Sequence, residues 1–263
     1  MREQSNQNSF ILGFKYFIKG FSLSTGKGMK RYTFLPIVIN TILMIIGYYF
    51  IFKYSFDYTG HFISSITPDW LHWIRFILYP VIFVAVVLLS FFMFTTITLV
   101  IGAPFYSILA EKTESILLNI PTPDIPISQT LKETPAMIWR ELAKFVYRIP
   151  IMLLNLVMLF VPVIGQIVIA VTGGWCYALD FTSYGFENNH IPLKATYPAL
   201  KRYRKTCLIF GICVWLSLLI PFLNLFIIPA AVCGGTALWV DILRPNFAEK
   251  IKNNNVAHNT DSH

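Results

Sequence analysis

Four long runs without a charged side chain decide what this chain can become. They are Tyr32–Phe52, Phe76–Ala110, Ile149–Leu179 and Thr206–Val240. A helix that crosses a hydrocarbon core ~30 Å thick needs ~20 apolar residues at about 1.5 Å each. The first run has 21 residues and fits one crossing. The second has 35, and Gly102 and Pro104 are expected to break it before Phe105–Leu118 continues. Soluble domains carry about 25% charged residues. Here 13% are charged and 56% hydrophobic, so the core is shared with lipid. The class is an all-α integral membrane protein, and the net charge of +8 reflects membrane topology rather than nucleic acid.

The third and fourth runs are each interrupted near the middle by turn chemistry. The third holds Val161-Pro162-Val163-Ile164-Gly165-Gln166, and the fourth holds Ile220-Pro221-Phe222-Leu223-Asn224. The arms around these turns are Ile149–Phe160 and Gln166–Leu179, then Cys207–Leu219 and Leu225–Val240. Most span ~18–24 Å as helix, short of a full crossing. Each run is therefore either one kinked, over-long crossing or a hairpin that returns to its own side. Cation counts separate the two. The first 31 residues carry six Lys/Arg, 111–148 carry five and 180–205 carry five, whereas Lys53–Arg75 carries two. Two crossings plus two half-penetrating hairpins place every cation-rich segment on one side, as the positive-inside rule asks. The expected architecture is two long transmembrane helices (about 32–52 and 76–118), hairpins at about 149–179 and 206–240, and an N-terminal amphipathic helix. Residues 1–244 form a single helical domain, and 245–263 form a polar, disordered tail. The hairpin runs also echo each other, with Trp175…Asp180 and Trp239…Asp241, a loose repeat.

Two amphipathic stretches lie between the runs. Phe10, Phe14, Phe17 and Phe21 recur at helical spacing, so Phe10–Phe21 is expected to lie in the interface plane. Thr130–Arg148 opens with a capping-box pattern, Thr130 and Glu133. It lines up Arg140, Lys144 and Arg148 on one stripe, read as a cationic surface for headgroups or as a funnel for anions. Asn119–Ile127 is a proline-rich connector. The N-terminus does not read as a cleaved signal peptide.

No catalytic signature occurs: there is no HExxH, GxSxG, Walker loop or dinucleotide fingerprint. No CxxC joins Cys176, Cys207, Cys213 and Cys233, and His61, His72 and His190 lack partners at metal spacing. The chain reads as a non-enzyme without cofactor or metal. Polar residues in or beside the runs, Asn40, Glu111, Asn155, Gln166 and Asn224, either satisfy one another between helices or line a water path.

One stretch has the chemistry of a binding site. Ser24–Asn40 begins as a loop, Gly26-Lys27-Gly28, passes through Lys30 and Arg31, and enters the first run. No acid lies between Glu3 and Asp57. Backbone N–H groups, two cations and a helix N-terminus together form an anion site. The same cations also suit a cytoplasmic anchor for a membrane helix.

Several blocks give the chain a family likeness. They are Gly28-Met29-Lys30-Arg31-Tyr32 with Leu35-Pro36 and Asn40, Ala103-Pro104-Phe105 with Leu109-Ala110-Glu111, and Val161-Pro162-x-x-Gly165-Gln166. Further on come Ile220-Pro221-x-Leu223-Asn224-Leu225-Phe226-Ile227-x-Pro229, Ala231-Val232-Cys233-Gly234 and Trp239-Val240-Asp241. On these blocks the chain, from about Phe10 to Arg244, resembles the CysZ family of bacterial sulfate permeases. The resemblance implies sulfate uptake across the inner membrane for cysteine synthesis, and the all-donor chemistry of Lys30, Arg31 and the backbone N–H groups leads to sulfite as an expected competing anion. It also implies two long helices, two half-penetrating hairpins and assembly as homodimers or higher oligomers. The family's sulfate loop is Gly-x-Arg-Arg, which carries over to Gly28, Met29, Lys30 and Arg31. Lys30 is a departure: an ammonium is a point charge where the family has a planar fork. The other reading is a membrane scaffold or regulator whose basic loops serve lipid headgroups.

Overall fold

The computed structural model describes residues 2–26, 28–66, 76, 79–83, 102–121, 127–220, 223–249 and 251. Its helices are α1 (Arg2–Ser24), α2 (Lys30–Ile66), α3 (102–118), α4 (Ile127–Met158), α5 (Ile164–Asn188), α6 (Leu193–Arg202), α7 (Arg204–Leu218) and α8 (Asn224–Leu238). A π-helical turn, Trp239–Leu243, and a 3-10 turn, Arg244–Phe247, follow α8. No strand occurs among the described residues. Most of the second apolar run, His72, Pro221 and residues 252–263 lie outside them. Three described segments are long and apolar enough to cross a membrane: Lys30–Ile51, Ile164–Asn188 and Phe226–Phe247.

Contacts divide the chain into two units, residues 1–37 with 103–263, and residues 38–102. In the second, α2 presents Val38, Ile42, Ile45 and Tyr49 on its surface, the pattern of a lipid-facing helix. Lys53 lies over the rings of Tyr49 and Tyr54, each 5.7 Å from the ammonium. The helix does not stop at Phe52 as expected; it continues to Ile66. Nothing between Lys53 and Ile66 breaks it, since the first proline after Pro36 is Pro68.

The first unit is built around α8, which is buried from Pro229 to Trp239. Adjacent glycines let it be approached from two sides. A Cβ on Gly234 would sit 2.6 Å from the Tyr16 carbonyl oxygen of α1, and one on Gly235 would sit 2.3 Å from that of Phe181 on α5. The α5–α7 crossing uses the same device, because a Cβ on Gly211 would lie 1.8 Å from the Gly174 carbonyl oxygen. Small residues at such crossings let backbones meet closely, which drives association where lipid removes the hydrophobic incentive.

This packing alters the reading of α1. Gly13, Tyr16 and Gly20 form the buried face, set against α7 and α8, while Phe10, Phe14 and Ile18 point outward. The helix is fastened along the bundle and does not merely float in the interface. Its Lys19 pairs with Asp241 at 2.9 Å.

The first proline turn reverses the chain between helices, bringing α5 back against α4. There, α4 ends at Met158 and α5 starts at Ile164. The turn satisfies much of its own backbone: Leu159, Phe160, Val161, Ile164 and Gly165 donate their N–H groups to Asn155, Val157, Met158, Pro162 and Val161. Gly165 is required, because a Cβ there would lie 1.8 Å from the Met158 carbonyl oxygen. Val163 adopts φ 63°, a left-handed conformation that strains a β-branched residue. The rim of the turn is apolar and uncovered, with Phe160 82% and Val163 73% exposed. At the second turn Leu219, Ile220, Leu223 and Phe226 are likewise exposed.

Helix α4 corrects a boundary. It begins at Ile127, three residues before Thr130, so Thr130 is inside the helix rather than its N-cap. Amphipathic stretch and first hairpin arm are one continuous helix that runs through Pro150. Order also persists beyond Arg244, into the expected tail. Phe247 contacts the rings of Phe186 and Trp239, and Ile251 is buried, because these two residues supply apolar surface within a polar sequence.

Candidate functional site

The α1–α2 loop is held from beneath. Met29 is 2% exposed and belongs to the core. Its N–H donates to the Gly26 carbonyl at 3.1 Å. The buried Thr33 hydroxyl donates to the Ser24 carbonyl at 2.8 Å, tying the first turn of α2 to the end of α1. Gly28 sits at φ 83° with no atom within 4 Å of a Cβ position, so the left-handed backbone, not crowding, calls for glycine.

Above these anchors the chemistry is open. Lys30 and Arg31 are exposed on the first turn of α2, which carries no acid. Tyr32 and Thr33 donate their N–H groups to the Met29 carbonyl, both at 3.0 Å. The Lys30 and Arg31 N–H groups have no acceptor among the described residues. Neither side chain has a carboxylate partner there. Gly28, Met29, Lys30 and Arg31 thus combine a buried anchor, Met29, with two exposed cationic side chains that can only donate hydrogen bonds.

The other cationic stripe has a different fate. Lys144 is fully buried between α4 and α5. Its ammonium contacts Glu141 at 2.6 Å, Glu187 at 3.3 Å and the Ser183 hydroxyl at 3.0 Å, and lies 4.7 Å from the Tyr184 ring centroid. Burial pulls the Lys144 pKa down, but the carboxylates of Glu187, Glu141 and Asp180 outweigh it and hold the group above its ordinary value. Arg148 pairs with Asp180 one turn further along. Neither the headgroup surface nor the anion funnel fits Lys144 and Arg148. The stripe was legible in the sequence, but two of its three acidic partners, Asp180 and Glu187, lie on another helix.

A second buried hub also escaped sequence reading. Glu114 on α3 accepts from Asn189 at 3.1 and 3.0 Å, from the Trp239 indole at 3.2 Å and from Arg244 at 3.1 Å. It locks α3 to the ends of α5 and α8. Only its position just after an apolar run hinted at this.

The polar residues expected within the membrane are dispersed. Asn155 on α4 accepts from the Thr172 hydroxyl of α5 at 2.8 Å, a helix-packing bond. Gln166 is exposed beside the first turn, and Glu111 is half-buried and engaged on α3. Asn40 and Asn224 are placed by backbone alone, in α2 and at the start of α8. Among the described residues no cluster of His, Cys, Asp or Glu could hold a metal ion. A cavity of about 440 Å³ lies between α4, α5 and the α6–α7 junction, and no residue of the α1–α2 loop is among those lining it.

A family described as sulfate transporter CysZ/etoposide-induced protein 2.4 matches residues 16–229. The matched span contains the α1–α2 loop, both proline turns and the α4–α5 ion network, and ends before Trp239 and Arg244. It is narrower than the stretch on which the likeness was read, and it covers well over half of the chain. The chain therefore belongs to the sulfate transporter CysZ/etoposide-induced protein 2.4 family, a transporter-type family of membrane proteins.

Proposed function

We propose that the protein is a sulfate permease or channel of the bacterial inner membrane that supplies sulfate for assimilation and cysteine biosynthesis. The observation that carries this reading is the α1–α2 loop, where Lys30 and Arg31 stand exposed without an acidic partner among the described residues, over a base anchored by Met29 and Thr33. Near neutral pH sulfate only accepts hydrogen bonds, and this surface only donates them. Phosphate keeps a proton that would lack an acceptor, an omission worth ~1–3 kcal/mol, or roughly 5- to 150-fold in affinity. Sulfate is therefore preferred over phosphate, with sulfite as a competitor. Arg31 supplies the bidentate fork and Lys30 a point charge.

The turns dip partway into the bilayer from the side of the cationic segments. From the Arg148–Asp180 pair to the first turn, α4 has about 10 residues and α5 about 16, or ~15–24 Å at helical rise. That reaches into a ~30 Å core without crossing it. The turn's internal N–H bonds and apolar rim suit such a position. Uncovered apolar rims at both turns favour a homo-oligomer, in which neighbouring copies share their cover.

Radiolabelled sulfate uptake into liposomes containing only this protein tests the function. Uptake above empty liposomes, cut by Arg31→Ala, is expected. Background uptake by folded protein would overturn the reading in favour of a scaffold or regulator, a class left open by the second name in the family description.

A further inference from the structure

We infer that the cavity between α4, α5 and the α6–α7 junction binds an anionic phospholipid, with its phosphate against Lys201, Arg204 and Lys205 and an acyl chain along the outer face of α5. The cavity joins two kinds of surface. Lys201, Arg204 and Lys205 come from the α6–α7 junction with the apolar Leu208 beside them, and α5 adds the apolar Val171 and Trp175. No acidic residue among the described residues lines the cavity. Lys201 and Arg204 have no ion pair among the described residues. Lys201 and Arg204 line the same cavity with like charge, and an anion between them relieves their repulsion.

The apolar lining identifies the anion as part of an amphiphile. Ile164, Ile167, Val171 and Trp175 recur every three or four residues, so they form one stripe on α5 from the first turn up to the cavity. Ile164, Ile167 and Val171 are exposed along it. From Trp175 to Ile164 the stripe runs ~16 Å at helical rise, about half a hydrocarbon core. An acyl chain can follow it while the phosphate stays at the cationic end. Trp175 stands where the two meet, the level at which amphipathic rings settle in a membrane. A free sulfate would engage the cations and leave the apolar lining and most of the 440 Å³ unused. The inference rests on α5 facing lipid and not on sulfate transport, so the two readings fail separately.

Native mass spectrometry of the full-length protein, titrated with dioleoylphosphatidylglycerol or dioleoylphosphatidylcholine, tests it. Phosphatidylglycerol should bind ~10- to 100-fold more tightly, the contribution of two or three basic residues to anionic-lipid attraction. The triple variant Lys201→Gln, Arg204→Gln, Lys205→Gln should erase that preference. Leu208→Trp, which fills the slot and keeps every charge, should weaken phosphatidylglycerol binding several-fold with an unchanged gel-filtration profile. Should the triple variant fail to fold, Leu208→Trp decides alone. Equal binding of the two lipids overturns the inference. So does displacement of phosphatidylglycerol by millimolar inorganic phosphate or sulfate, since the site would then belong to a small anion.

Discussion

Lys30 and Arg31 on α2 and Lys144 and Arg148 on α4 are two cation pairs beside apolar segments, and the fold treats them in opposite ways. The first pair is exposed and meets no carboxylate among the described residues. The second is enclosed by Glu141, Asp180 and Glu187. Residues four apart share a helix face, so Lys144 and Arg148 turn together towards α5. Adjacent residues diverge, and Lys30 and Arg31 open the first turn, where their own N–H groups meet no acceptor among the described residues. A cation next to an apolar run becomes a structural group or a binding group according to whether packing brings a carboxylate to it.

The largest effect that tests this contrast is on stability. Lys144→Ala strands Glu141 and Glu187 in a buried site and should cost about 3–5 kcal/mol, read as a lowered melting temperature in detergent. Combining Lys144→Met with Glu141→Gln and Glu187→Gln should recover much of the loss, since the uncompensated charge is gone. Wild-type melting of Lys144→Ala would erase the distinction between the pairs.

The next effect is on binding alone. Arg31→Ala should weaken sulfate by roughly 10- to 150-fold, the worth of charged hydrogen bonds at ~1.5–3 kcal/mol. Its melting temperature should stay near wild type, because exposed substitutions change stability by about 0.5 kcal/mol or less. Lys30→Ala should weaken sulfate less, and Lys30→Arg should hold or improve it. Calorimetric titration at fixed ionic strength measures all three. Unaltered affinity in Arg31→Ala would move the site away from the loop.

Thr33→Val probes the base beneath the cations. It removes a buried hydroxyl bond and leaves the Ser24 carbonyl without that donor, at a cost of about 1 kcal/mol in stability. Sulfate affinity should fall several-fold as the loop loosens, although the side chain at this buried position never touches the anion. Unaltered affinity alongside reduced stability would show that the loop needs no preorganisation.

The smallest effect is with pH. The Lys144 value is raised in the folded state, so its stabilisation is complete below the ordinary lysine value of 10.5 and disappears only as pH rises through the higher folded value. Lys144 should therefore contribute no slope to melting between about pH 6 and 9. A slope in that window that vanishes in Lys144→Met with Glu141→Gln and Glu187→Gln would show that the buried network titrates there.

The helical membrane class, the two proline turns and the α1–α2 loop could all be read along the chain because each depends on neighbours in sequence. Apolar run length follows from bilayer thickness, and Pro162 with Gly165 marks an interruption, while the choice between a kink and a reversal needed the cation counts of the flanking segments. The run of α2 to Ile66 was less visible, because apolarity reports where lipid is and not where a helix stops. The start of α4 was misplaced for a related reason: a capping pattern at Thr130 and Glu133 is a local preference that the continuing helix overrode.

By itself, then, the sequence determined an all-helical membrane chain, the places where its apolar runs are interrupted and an acid-free cationic loop. These are consequences of local spacing and of transfer between water and hydrocarbon. Only the tertiary structure decided which cations are left for a ligand. Asp180 and Glu187 reach α4 because α5 doubles back at the first turn, and Glu114 meets Asn189, Trp239 and Arg244 because glycines such as Gly185 admit close packing. Charges separated by tens of residues interact over a few ångströms, and that distance is created by the fold.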